Sequence, residues 1–86
     1  MFYNIEARYT QELARLKPDD EIQYIERLEK YPLDFIGTAG HGYLVVPKEH
    51  PLHAHAHKIC QYGYKGTHAV YLEEDCEASE FLNLIK

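Results

Sequence analysis

The stretch Lys17-Pro18-Asp19-Asp20-Glu21-Ile22-Gln23-Tyr24-Ile25-Glu26-Arg27-Leu28-Glu29-Lys30-Tyr31-Pro32 decides how the N-terminal third of this chain is built. Ile22, Ile25 and Leu28 recur every third position, the spacing of one helix face. Asp19 and Asp20 supply N-cap chemistry, and Asp20 with Gln23 resembles a capping box. Lys17 precedes a proline and so avoids helical geometry, which ends any helix before it. Pro32 closes the segment. Upstream, Ile5, Tyr9, Leu13 and Leu16 follow the same helical period. Residues 1–31 therefore read as a hairpin of two short helices.

Working outward from there, the pattern changes after Pro32. Asp34 to Thr38 and Tyr43 to Val46 are rich in β-branched and aromatic side chains, with a turn expected around Ala39–Gly42. Pro51 suits the first turn of a helix running to about Gln61, and Gly63 suits its end. Tyr62 to Gly66 is turn material with room for one short strand, and His68 to Leu72 reads as the last strand. Ala78, Phe81, Leu82 and Ile85 line one face of a C-terminal helix. The expected fold is a single α+β domain over residues 1–86 in the order α-α-β-β-α-β-α. Helices pack on a small, mostly antiparallel sheet of three or four strands.

Length and charge bound the function. Eighty-six residues leave room for one domain, and 45% hydrophobic with 13% aromatic residues suffice for a core. The net charge is −5, yet five of the 14 acids fall between Glu73 and Glu80, where no base occurs. Elsewhere acids and bases balance, so the acidity is local. No Lys/Arg stripe exists to neutralise phosphates, which argues against nucleic acid as a partner. No apolar run approaches the roughly 18–20 residues that span a bilayer. The N-terminus lacks the features of a secretory leader, and Cys60 and Cys76 make no disulfide framework. A cytoplasmic protein with free thiols is expected.

His53, His57 and Cys60 share one face if residues 51–61 are helical, since they are spaced i, i+4 and i+7. Two such histidines and a thiolate are chemically suited to zinc. The plainer reading is a solvated histidine-bearing helix with Cys60 in the core, and no cofactor.

Two further motifs stand out. Thr38-Ala39-Gly40-His41-Gly42 presents a histidine between glycines in a tight turn. Tyr71-Leu72-Glu73-Glu74-Asp75-Cys76-Glu77 carries a strand into a helix, with Glu74 or Asp75 placed to cap it. In this order the two resemble the motifs of an uncharacterised domain family found in proteins of phages and mobile elements. That family's pattern is T-A-G/S-H-G-G followed some tens of residues later by W-Y-E-E-D-C. Here Tyr43 stands where the family has a second glycine, and Leu72 is inserted between Tyr71 and Glu73. The resemblance spans roughly residues 34 to 82. It implies a mobile-element origin and a shared fold around both motifs, and it implies no activity.

The expected function is that of a small non-enzymatic accessory protein, inhibitors of a host system being one form such proteins take. It would meet a protein partner with a basic surface through His41, Tyr71, Glu73, Glu74, Asp75 and Cys76. The alternative is a metal-binding or Cys/His-dependent enzyme using His41 with Cys76, or the His53/His57/Cys60 face. A homodimer through the N-terminal helices is the third possibility.

Overall fold

A computed structural model describes residues 3–85 of the chain, with side chains from residue 7 onward. The elements are α1 (Tyr3–Leu16), β1 (Ile22–Leu28), β2 (Leu33–Thr38), β3 (Gly42–Pro47), α2 (His53–Ile59), β4 (Tyr64–Lys65), β5 (Ala69–Glu73) and α3 (Glu77–Leu84). The five strands form one sheet in the order β1-β2-β3-β5-β4, and every neighbouring pair is antiparallel. The class is α+β, but the order is α-β-β-β-α-β-β-α.

The N-terminal helical hairpin is therefore overturned. α1 is a helix, with Tyr9 and Leu13 buried and Leu16 exposed, while the side chain of Ile5 lies outside the described residues. Residues 22–28, expected as the second helix, are an edge strand paired along its length with β2. The three-residue spacing has a different cause. The β1–β2 register shifts between Ile22 and Tyr24, so Gln23 is an extra residue. Such a bulge inverts the alternation of side chains on either side of it. Ile22 and Ile25 thereby face the same core, beside α1, whereas Leu28 packs into the opposite one. What resembles one helix face is two strand faces joined by a bulge. The β-branched Ile22 and Ile25 and the aromatic Tyr24 suit that strand.

The sheet buries both faces. On one, Tyr9 and Leu13 of α1 meet Ile36, Tyr43, Val45, Ala69 and Tyr71. On the other, α2 and α3 bring Ala56, Ala78 and Phe81 onto Leu33, Leu44, Val46, Val70 and Leu72, with Cys60 beside them. β3 is buried from Gly42 through Val46, and β5 from Ala69 through Leu72. Near-continuous apolar runs at these positions reflect burial on two sides.

Two carboxylates tie the helices down. Glu12 of α1 accepts the Tyr71 hydroxyl at 2.7 Å and the His68 amide at 2.9 Å, and also binds the Thr67 amide. One side chain thus fixes α1 to the β4–β5 turn and to β5 itself. Glu77, in the first turn of α3, is buried and accepts the Gly63 amide at 2.7 Å and the Tyr62 amide at 3.1 Å. It pins the loop after α2 to α3.

Burial opposes ionisation of Glu12, but its hydrogen bonds from Tyr71, His68 and Thr67 outweigh that and hold its pKa below the usual value of 4.5. A depressed carboxylate stabilises the fold above its unfolded pKa, and the contribution is lost as pH falls through the folded value. Glu12→Gln should cost about 1.5–3 kcal/mol at neutral pH. Denaturant titrations of both proteins should show that gap narrowing below about pH 4, the unfolded glutamate range.

Candidate functional site

The two sequence motifs meet on the sheet. Tyr43 pairs with Glu73 across β3 and β5, and the Glu74 amide donates to the Gly42 carbonyl at 2.8 Å. Contact runs through backbone. The Thr38 amide donates to the His41 carbonyl at 2.8 Å, and the His41 amide donates to the Thr38 hydroxyl at 3.0 Å, closing the hairpin over Ala39 and Gly40. The imidazole of His41 is exposed, its ring centre 6.3 Å from that of Tyr43. Among the described residues no carboxylate or thiol of the second motif hydrogen-bonds to it.

Tyr71 is wholly buried, and its hydroxyl serves to dock α1. The acidic run divides by role. Glu77 is a buried fastener, and Glu73 accepts the Asp75 amide at 3.0 Å. Glu74, Asp75 and Glu80 remain exposed. Neither Glu74 nor Asp75 caps α3, whose N-cap position is Cys76 and carries no side-chain cap.

His53 and His57 share a face of α2 as their spacing requires, with ring centres 6.3 Å apart. Cys60 has left the helix: it is extended, buried, and directs its thiol at the Tyr71 carbonyl, 3.9 Å away. Among the described residues no group of three or more His, Cys, Asp or Glu is arranged to hold a metal ion. No described helix is long and apolar enough to cross a membrane.

One concave surface combines apolar area with unneutralised charge. A cleft of about 330 Å³ opens between β1 and α3 and is lined by Tyr24, Glu26, Leu28, Phe35, Leu44, Glu74, Ala78, Ser79 and Leu82. Strand register explains it. Tyr24 lies opposite Gly37, Gly37 opposite Gly42, and Glu74 binds the Gly42 backbone, so one row crosses four segments. The next row is Glu26, Phe35, Leu44 and Leu72. The two glycines are what the aromatic packing needs. A Cβ on Gly37 would sit 2.2 Å from the Tyr24 ring, and one on Gly42 would sit 2.3 Å from the Phe35 ring and 3.2 Å from the Glu74 carboxyl carbon. The Gly-His-Gly motif thus serves a recess in the sheet as well as a turn.

Glu26 was missed by a reading that placed it on a helix. As a strand residue it shares one face with Tyr24 and Leu28, two positions to either side, and lines the cleft with them. Tyr24 is 52% exposed, a large ring turned to solvent beside it. Among the described residues neither the Glu26 nor the Glu74 carboxylate has an ion-pair or hydrogen-bond partner.

The thiols are chemically quiet. Residual desolvation and the Glu73 carboxylate, 3.6 Å from its sulfur, push Cys76 above the ordinary cysteine value. Burial, reinforced by Glu77, pushes Cys60 up as well. A nucleophilic cysteine needs the opposite shift. Cys76 should therefore be alkylated by iodoacetamide at pH 8 more slowly than free cysteine, and Glu73→Gln should speed it. Cys60 should react only on unfolding.

Comparison with protein-family models, with curated proteins and with solved structures gives no match to this chain. The functional reading of the cleft rests on its own chemistry.

Proposed function

We propose that this chain is a small non-enzymatic accessory protein that acts by binding another protein, and that the β1–α3 cleft is the binding surface. The observation that carries this reading is the pair of carboxylates, Glu26 and Glu74, that have no partner among the described residues and flank an apolar recess. Covering the recess with apolar groups alone would strip water from both carboxylates without compensation, which is unfavourable. A partner that brings lysine or arginine alongside apolar side chains avoids that cost. Exposed Asp75, next to Glu74 in the chain, adds to the same negative field and would steer a basic surface toward the cleft. The motif resemblance supports an origin in a phage or mobile element.

The test is co-precipitation with the tagged full chain, with the retained protein identified by mass spectrometry. Binding should weaken with salt. The double variant Glu26→Lys/Glu74→Lys should lose about tenfold in affinity, equivalent to about 1.4 kcal/mol. Gln61→Lys, on an exposed loop residue that does not line the cleft, should leave binding unchanged. Equal retention by wild type and double variant would overturn the reading.

A further inference from the structure

Resting on that reading, we infer that the partner enters as an extended strand that adds to the free edge of β1, with a basic side chain opposite Glu26 and apolar side chains two residues to either side. β1 is the outermost strand, and no described strand pairs with its outer edge. Such an edge presents unpaired amide and carbonyl groups that template a further strand. Native edges are commonly blunted by proline, by charged side chains or by a bulge; β1 contains no proline, and its cation, Arg27, is held by Asp34 at 3.1 Å. Its one bulge lies at Gln23, at the N-terminal end. Tyr24 to Leu28 is left as a regular five-residue template.

The cleft lies on one face of this same segment. Tyr24, Glu26 and Leu28 all line it, while Ile25 faces the α1 core and Arg27 binds Asp34 at 3.1 Å. A strand laid beside β1 would place every second side chain opposite these three residues, at about 4.5–5.5 Å between Cβ atoms. Charge complementarity sets the middle position, because Glu26 has no cation among the described residues. Tyr24 and Leu28 set the flanking ones. The recognised pattern is apolar-x-Lys/Arg-x-apolar, with the x positions directed to the opposite face. A helix could fill the recess, but it would leave the β1 edge unused and would space its anchors at three and four residues.

Selection of a displayed library of random 12-residue peptides on the immobilised full chain tests this. Enriched peptides should carry Lys or Arg with apolar residues at i−2 and i+2. The strongest, made synthetically, should bind at least tenfold more weakly to Glu26→Lys, and more weakly to Glu26→Gln, an exposed change that removes charge without opposing it. N-methylation of one alternate set of peptide amides should abolish binding, and of the other set should leave it intact, since only one set faces β1. Enriched peptides with anchors at i, i+3 and i+4, or with no alternation under N-methylation, would overturn strand addition while leaving the cleft as the binding surface. Peptides indifferent to both Glu26→Lys and Glu74→Lys, or no enrichment, would overturn both. Wild-type dimerisation that the peptide disrupts and Glu26→Lys abolishes would assign the edge to a second copy and overturn the partner strand.

Discussion

Everything in this molecule follows from a sheet that must be covered on both faces by a chain of 86 residues. β3 and β5 are buried on each side, so neither face can be left to water. Three helices share the task. α1 takes one face alone, and its position there is held by the Glu12 carboxylate, which gathers Tyr71 and the β4–β5 turn around a single side chain. Buried tyrosines suit this arrangement, since each ring fills the core while its hydroxyl reaches a partner at the edge. Tyr43 does the same toward Asp20, to which it donates at 3.0 Å.

The other face is where coverage runs short. Five strands at about 4.8 Å spacing are about 19 Å across. α2 has seven residues and α3 eight, so each is only about 10–12 Å long at 1.5 Å per residue. Both pack over β5, near one side of the sheet. The β1–β2 side of that face is left open as the cleft. A recess of this origin is a by-product of packing until its lining is considered. It has an apolar floor, an exposed tyrosine and two carboxylates with no partner among the described residues, and the complement we propose for it is a basic, partly apolar segment. A strand that lines the cleft is also an outer edge of the sheet, which joins a side-chain site to a backbone site.

Much of this was legible in the residues. The α1 period, the hairpin at Ala39–Gly42, the two central strands and the C-terminal helix follow from periodicity, proline placement and β-branched runs. The local acidity near Glu73 was also visible, and the structure divides it: Glu77 and Glu73 are occupied in internal hydrogen bonds, while Glu74, Asp75 and Glu80 face solvent. Nothing in their identities distinguishes these roles, because acceptance of an amide depends on which loop arrives beside the carboxylate. Ile22, Ile25 and Leu28 misled for a definite reason. A bulge at Gln23 breaks the two-residue alternation of a strand and leaves a three-residue spacing that also fits a helix.

By itself, the sequence determined the α+β class, the strand character of residues 34–38 and 43–46 and the balance of charge, all of which depend on local pattern and composition. Only the tertiary structure decided that residues 22–28 form the sheet's edge, that Cys60 turns inward away from His53 and His57, and that Glu26 joins Glu74 across an apolar recess. The reason is physical. Strand pairing and register are long-range choices settled by which core each side chain can enter, and residues 48 positions apart come together only once those choices are made.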